Sequence, residues 1–302
     1  MADPSSMDDW AVILGGETPN TANIGRIWTD KTVSTDTITT SSGSVINRGD
    51  SAFITALSAL SSTSNVKSSS TTPLDIVMVL DASGSMDDHM GGGDSPKRID
   101  ALKNAANSFI DTIAKQNEGI EGVDRQHKVA VVKFAGKKSS NIGNSKYYDG
   151  GYSYNYTQVM KGLTDCSGGN VKALKDTIKE IDPAGATRAD NGLELAKDIT
   201  SGRKDAKKII VFFTDGTPTK QSNFDSEVAN AAVTFAKNMK DSKATVYTIG
   251  IFNGADPAAD PLKKGTSDVN KFMHAVSSNY PGATSYTSCL LYTSPSPRDS
   301  PS

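Results

Sequence analysis

The sequence predicts an α/β protein in which a doubly wound, mostly parallel sheet follows a shorter segment rich in β-strands. From residue 74 onward, short apolar runs alternate with amphipathic stretches of ten or more residues. Helices of that length act as right-handed crossovers, which make the strands on either side parallel. The runs Ile76–Leu80 and Ile209–Phe213 are almost continuously apolar, which is typical of strands that helices cover on both faces.

Hydrophobic periodicity places the individual elements. Residues 98–115 carry apolar side chains at the three-to-four spacing of a helix with one buried face. Further helices are predicted over residues 171–181, 190–199, 224–239 and 268–277. Strands are predicted over residues 74–80, 128–135, 208–213 and 244–252.

The segment Asp81-Ala82-Ser83-Gly84-Ser85 directly follows the first buried strand. It puts one carboxylate and two hydroxyls at the point where a strand gives way to a loop. Oxygen ligands with few charges suit Mg²⁺ or Mn²⁺, and magnesium favours one or two carboxylates together with waters. The segment therefore has the outline of a site for a hard cation.

Two later segments offer the remaining ligands for such a site. Thr187 ends the segment 184–187 (AGAT), just ahead of a predicted helix, and Asp215 follows the strand over residues 208–213. A doubly wound sheet binds ligands at the carboxyl ends of its strands, in the crevice where the strand order reverses. Asp81 and Asp215 both lie at that end, so we expect the two carboxylates to lie close together.

The order of Asp-x-Ser-x-Ser, a distant Thr and Thr-Asp-Gly resembles the metal-ion-dependent adhesion site of von Willebrand factor type A domains, over about residues 72–288. The resemblance implies one Mg²⁺ or Mn²⁺ and five ligand side chains: Asp81, Ser83, Ser85, Thr187 and Asp215. It also implies that the hydroxyls bind the ion directly and the carboxylates act largely through waters. An ion with few direct negative ligands stays electrophilic, so the implied mechanism is that it accepts a carboxylate from a partner molecule.

The sequence divides into three predicted parts, residues 1–72, 73–288 and 289–302. The first part is rich in Ser and Thr, and Ile24–Val33 and Ala52–Leu60 alternate like β-strands. Its residues 20–33 resemble the lead-in of Gram-positive surface and pilus-tip adhesins, in which a type A domain is inserted into a β-sandwich. This resemblance implies an incomplete β-sandwich and an isopeptide bond formed by the side chain of Lys31. The alternative is that Lys31 is an ordinary charged residue on an edge strand.

Residues 289–302 are predicted to be non-biological, because the stretch Cys289–Asp299 (CLLYTSPSPRD) is identified as a translated sequencing-library adapter. A linker rich in Pro and Ser is the alternative. In either case the segment is excluded from fold reasoning. We expect the natural chain to continue beyond this point and to supply the remaining sandwich strands.

Composition limits the classes of function. A net charge of −2 and a pI near 6.0 give no basic field for nucleic acid, and no run of eighteen apolar residues predicts membrane insertion. The three histidines form no His-Glu-x-x-His motif, and neither Gly-x-Ser-x-Gly nor Gly-x-x-x-x-Gly-Lys occurs, so we expect no enzyme activity. With Cys289 set aside, Cys166 is expected to be a single buried thiol.

The expected function is a metal-dependent adhesion module of a secreted surface or pilus-tip protein. Its partner would be a host or matrix protein or a pilus subunit, bound through a carboxylate. The alternative is an intracellular type A domain that acts as an assembly module of a multi-protein complex, against which the strand-rich residues 1–72 argue. A signal peptide and a sorting motif in the full gene would decide between the compartments.

Two weaker features are a tyrosine-rich segment and a tripeptide. Residues 136–157 form a predicted loop with five tyrosines among Gly, Ser and Asn, a composition typical of adaptable binding loops. The loop is longer than ordinary connections, and its tyrosines either contact a partner or pack on the domain itself. Residues 48–50 (RGD) are predicted to form a turn rather than to mimic an integrin ligand.

Overall fold

The computed structural model describes residues 27–34, 37–39, 45–47, 54–61, 72–90 and 95–288. The chain divides into two compact units between Ser70 and Thr71. The side chain of Lys31, the tripeptide at 48–50 and residues 289–302 lie outside what the structure describes. The isopeptide bond, the turn and the adapter origin of the tail therefore stay predictions.

The described strands of the first unit form two antiparallel pairs. β1 (Ile27–Ser34) pairs with β4 (Ile54–Ser61), and β2 (Thr37–Thr39) pairs with β3 (Val45–Asn47). The two strands predicted over residues 24–33 and 52–60 correspond to β1 and β4. Their membership of an incomplete β-sandwich stays a prediction.

A five-stranded sheet forms the centre of the second unit. Its strands are β5 (Leu74–Asp81), β6 (Lys128–Phe134), β9 (Gln158–Asp165), β10 (Lys207–Thr214) and β11 (Thr245–Gly250). Their order in the sheet is β11-β10-β5-β6-β9. All run parallel to their neighbours except β9, which is antiparallel to β6. The predicted α/β class with a mostly parallel sheet is confirmed.

Helices cover this sheet on both faces. They are α1 (Arg98–Asn117), α2 (Gly169–Lys179), α3 (Ala189–Thr200), α4 (Ser226–Asp241) and α5 (Asp268–Val276). Along β5, Ile76, Met78 and Leu80 pack with α1 and α2, whereas Val77 and Val79 pack with α3, α4 and α5. Successive side chains of a strand point to opposite faces, so a continuously apolar strand serves two cores. Among the described helices, none has the length and apolar composition to cross a membrane.

The strand order reverses beside β5. The chain continues from β5 to its neighbour β6 on one side, and returns later to β10 on the other side. Because β5 and β10 pair with Leu80 opposite Phe213, the ends of the two strands are level. Asp81 is the last residue of β5 and Asp215 directly follows β10, so both carboxylates lie at the predicted crevice.

The structure corrects the prediction in one region. The expected long loop over residues 136–157 contains a hairpin of β7 (Lys146–Asp149) and β8 (Tyr152–Asn155), which we call the tyrosine hairpin. Its turn residues Gly150 and Gly151 have φ of 57° and 85°, as a tight two-residue hairpin turn requires. Periodicity also fails to predict β9, because this edge strand is only partly buried along most of its length and lacks a continuous apolar run.

Candidate metal and ligand site

Asp81 lies at the end of β5 and is fully buried. Its Oδ1 accepts a hydrogen bond of 2.9 Å from the backbone N–H of Ser83, and its Oδ2 accepts one of 2.6 Å from Thr214 Oγ1. Thr214 is the last residue of β10. The carboxylate therefore stabilises the loop that follows it and also links the ends of β5 and β10, which flank the crevice.

Ser83 directly precedes a short 3₁₀ helix, Gly84–Asp87, and Ser85 is the second residue of that helix. Their Oγ atoms lie 3.2 Å apart, within hydrogen-bond distance. The backbone N–H of Gly84 donates to the carbonyl of Gly185 over 2.9 Å. This bond brings the segment that contains Thr187 against the first loop.

Thr187 lies just before α3 and is only 5% exposed. Its backbone pairs with Thr219, whose N–H donates to the Thr187 carbonyl over 3.0 Å. Two residues earlier, Gly185 has a φ of +109°, and a Cβ at this position would lie 3.0 Å from the Tyr154 ring. A residue with a side chain would therefore strain this loop, which explains the glycine beside Thr187.

Asp215 directly follows β10 and is 6% exposed. Its Oδ2 accepts a hydrogen bond of 3.1 Å from Nη1 of Arg98, the first residue of α1. Its Oδ1 is buried and has no hydrogen-bond partner among the described residues. An unpartnered buried carboxylate oxygen is costly, so this atom marks a place where a ligand is expected.

Electrostatics point to the same place. Burial, together with the charge of Asp215, raises the pKa of Asp81 to about 7. A carboxylate whose ionised form is disfavoured by burial and by a second carboxylate lies in a site where a cation is favourable, because an opposite charge stabilises the ionised form. The described residues contain no cluster of three or more His, Cys, Asp or Glu side chains that could hold a metal, so an ion here would depend on the neighbouring hydroxyls.

A cavity of about 1210 Å³ opens above these residues. Ser85, Thr187 and Asp215 line it directly, while Asp81 and Ser83 are joined to them by the hydrogen bonds described above. The structure thus brings all five residues predicted from the sequence to one edge of the sheet. Two carboxylates, three hydroxyls and an open cavity suit a hard cation that keeps a position for an external ligand.

Residues 75–282, which span β5 to the segment after α5, match the family model of the von Willebrand factor type A domain. The chain belongs to the von Willebrand factor type A domain family. All five candidate residues lie inside the matched range of this type A domain. No curated protein sequence matches the chain.

Solved structures of pilus proteins are similar to this chain at low identity. The vWF domain of the type V pili tip protein Mfa5 from Porphyromonas gingivalis is 15% identical with a TM-score of 0.45, over 68% of this chain and 87% of that one. The pilus adhesin SpaC from Lactobacillus rhamnosus GG is 17% identical with a TM-score of 0.48, over 89% of this chain and 32% of that one. The PilB minor pilin from Streptococcus sanguinis is 15% identical with a TM-score of 0.45, over 74% and 67%. The chain therefore spans about a third of the length of SpaC.

Sequence reasoning missed two parts of the type A domain site. Arg98 gave no signal, because a basic residue at the start of a helix does not reveal its contacts. Another part of the cavity lining, which includes Phe252 and residues 263–267, has no motif of its own. Thr214, by contrast, was present in the Thr-Asp-Gly motif, and its hydroxyl explains why a threonine precedes Asp215.

The tyrosine hairpin borders the site through Tyr154, which faces Gly185. Tyr147 stacks on Tyr154 with 5.5 Å between the ring centroids, and Tyr156 lies 4.6 Å from Tyr147. Tyr148 and Tyr152 are 82% and 70% exposed. Three of the tyrosines therefore pack within the domain, whereas Tyr148 and Tyr152 are exposed, and the contact of these two with a partner stays a prediction.

Proposed function

We propose that this type A domain is a metal-dependent adhesion module that holds one Mg²⁺ or Mn²⁺ and binds a protein partner through a carboxylate. The ion would be held by five side chains: Asp81, Ser83, Ser85, Thr187 and Asp215. The observation that best supports the proposal is the buried, unpartnered Oδ1 of Asp215 beside a second buried carboxylate. A divalent cation would offset the cost of burying both charges.

The chemistry of the donor set supports binding of a carboxylate ligand. Two carboxylates balance the charge of a divalent ion, and the three neutral hydroxyls add no further negative charge. An ion held in this way keeps its attraction for an external anion. The cavity lined by Ser85, Thr187 and Asp215 gives an acidic side chain of the partner access to it.

We propose binding rather than catalysis because the proposed ion would leave neither carboxylate free to act as a general base. Both oxygens of Asp81 accept hydrogen bonds from the protein, while Oδ2 of Asp215 is paired with Arg98 and its unpartnered Oδ1 would face the ion. A general base needs an oxygen that can reach a substrate proton.

We propose a location on the cell surface or on a pilus, where the partner would be a host or matrix protein or another pilus subunit. The strand-forming first unit supports this location. An intracellular assembly module is the second candidate. Protease treatment of intact cells separates the two, since digestion of the protein supports the surface location and protection contradicts it.

Isothermal titration of the intact chain with Mg²⁺ or Mn²⁺ tests the metal site. The wild type should bind one ion, and Asp81→Asn and Thr187→Val should each weaken binding about tenfold or more. Asp87→Asn is the matched control, because Asp87 is an exposed carboxylate near the site that pairs with Lys97. Equal affinities for the wild type and Asp81→Asn would contradict the proposal.

The carboxylate mechanism is tested in the same experiment series with peptides. A displayed peptide library is selected on the immobilised chain in Mg²⁺, and the selected peptides should contain an Asp or Glu that Asn or Gln cannot replace. Addition of a chelator should release them. Peptides that stay bound in chelator would exclude the mechanism and would point to the exposed tyrosines of the hairpin.

A further inference from the structure

Arg98 contacts two of the five residues proposed to hold the ion. Its Nη1 lies 3.1 Å from Asp215 Oδ2 and donates to the carbonyl of Ser85 over 3.3 Å. The same atom lies 3.6 Å from Asp88 Oδ2. The Arg98 side chain is only 22% exposed and lines the cavity, so its charge lies at the edge of the site.

The position of Arg98 in α1 is unfavourable for a cation. Arg98 is the first residue of the helix, where the helix dipole presents partial positive charge and favours anions. The preceding Lys97 is more exposed and pairs with Asp87. The helix itself therefore gives no reason for a buried guanidinium at this position, whereas the carboxylate of Asp215 does.

We propose that Arg98 is a built-in competitor of the cation, which neutralises Asp215 in the metal-free domain and lowers the affinity of the site for divalent ions. The inference rests on the proposed metal site. Arginine stays charged at every working pH, and a pair this little exposed is weakly screened by salt. An ion and the guanidinium would share one carboxylate and repel each other.

The competition has two consequences. Without metal, the guanidinium keeps Asp215 from being an uncompensated buried charge, so the loops of the site keep their arrangement. With metal, the contact between Arg98 and Asp215 weakens, and part of the binding free energy is spent on that change. Arg98 would thus let the domain release and rebind the ion without loss of fold.

Titration of the intact chain with Mg²⁺ alone tests this. Arg98→Met should bind Mg²⁺ about tenfold or more tightly than the wild type, because the repulsion is removed. Lys97→Met is the matched control. It removes an equal charge at the neighbouring position, where the side chain pairs with Asp87 and not with Asp215. It should change the affinity less than about threefold.

Thermal unfolding gives a readout that does not depend on metal affinity. Helices α1 to α5 all lie in the type A domain, so the loss of their circular dichroism signal reports the unfolding of that domain. In chelator, Arg98→Met should unfold about 5 °C or more below the wild type, since Asp215 loses its partner. Mg²⁺ should restore most of this loss, and Lys97→Met should behave like the wild type.

The outcomes separate this inference from the proposed function. If the wild type binds Mg²⁺ and Arg98→Met binds it no more tightly, the inference is overturned and the metal site stands. If only Arg98→Met binds Mg²⁺, the inference is supported, because the guanidinium then fully occupies the place of the ion. If neither chain binds Mg²⁺ or Mn²⁺, both the proposed function and the inference fail.

Discussion

At the scale of single residues, Lys133 in β6 is a buried cation that holds separate parts of the chain together. Its Nζ donates to Asn144 Oδ1, to the carbonyl of Ser145 and to Asn155 Oδ1. Asn155 in turn donates to the carbonyl of Ala82, inside the first loop of the candidate site. Buried charges persist only where hydrogen bonds compensate them, so this network ties the tyrosine hairpin to that loop.

Lys133 should make the stability of the protein change with pH in the alkaline range. Burial, and to a smaller extent the charge of Lys146, lowers the pKa of Lys133 from 10.5 to about 8. Below pH 8 the folded and unfolded chains both carry the proton, and the cost of burying the charge is fully present. Between pH 8 and 10.5 only the unfolded chain carries it, so the free energy of unfolding should rise, by about 1 kcal/mol from pH 8 to pH 9.

Urea denaturation at pH 8 and pH 9 measures this rise. Lys133→Met is the comparison variant, because methionine fills a similar space without a titratable group. The rise should be present in the wild type and absent in the variant. The same change with pH in both chains would assign it to other groups.

The common location of the five candidate ligands was predictable because each lies beside an element that periodicity reveals. Asp81 and Asp215 end apolar strands, and parallel strands bring their carboxyl ends to one edge. Arg98 was not predictable, because its contact with Asp215 joins residues 117 positions apart. Which charges meet across a crevice depends on the packing of loops and helix ends, for which the sequence has no periodic signal.

At the scale of elements, the parallel strands and the helices were predictable because burial imposes a regular apolar pattern on them. β7, β8 and β9 escape this rule, since they lie at or beyond the edge of the sheet and are partly exposed. Only the pair Gly150-Gly151 carried a signal for the hairpin, because two successive glycines favour a tight turn. Short elements at the edge of a sheet form because of their contacts with neighbouring elements more than because of an apolar pattern in their own sequence.

The tyrosine hairpin should depend on Tyr147 for stability but not on Tyr148. Tyr147 stacks on Tyr154 and packs against Tyr156 in a tilted arrangement, and its hydroxyl accepts a hydrogen bond from the N–H of Lys137 over 3.2 Å. Tyr147→Ala should therefore lower the free energy of unfolding by about 2 kcal/mol. Tyr148→Ala, at a mostly exposed position, should change it by less than about 0.5 kcal/mol.

Chemical denaturation of both variants checks this expectation. An equal effect of the two substitutions would show that the rings of the hairpin contribute no specific packing. A large effect of Tyr148→Ala alone would assign the packing role to the other face of the hairpin.

At the scale of the whole molecule, the fold class and the place of the site were predictable, whereas the order of the strands required the structure. Periodicity identifies which segments are strands, and the rules for parallel sheets place their carboxyl ends together. That β5 lies between β6 and β10, and that β9 closes one edge, depends on pairing between distant segments. The sequence also gives no measure of how stable the strand pairing in the first unit is.

Hydrogen exchange should distinguish the two units. In the described part of the chain, β1 pairs with β4 alone, whereas β5 has a parallel neighbour on each side. A two-stranded sheet is marginally stable in water. Amides of Trp28–Val33 should therefore exchange about a hundredfold or more faster than those of Ile76–Leu80, as measured by mass spectrometry. Equal protection of the two strands would contradict this view of the first unit.

The direction of β5 also determines how the domain carries tension. The chain enters this eight-residue strand at Leu74, and the strand ends at Asp81 in the candidate site, a distance of about 23 Å. A pull between a ligand held at Asp81 and the chain before Leu74 is therefore directed along the strand. Because both ends of such a pull act on one strand, the covalent backbone of β5 carries the load, and the hydrogen-bond ladders to β6 and β10 on its two sides keep the strand in register. The central strand of the sheet is thus also the line along which an attached load would reach the rest of the chain.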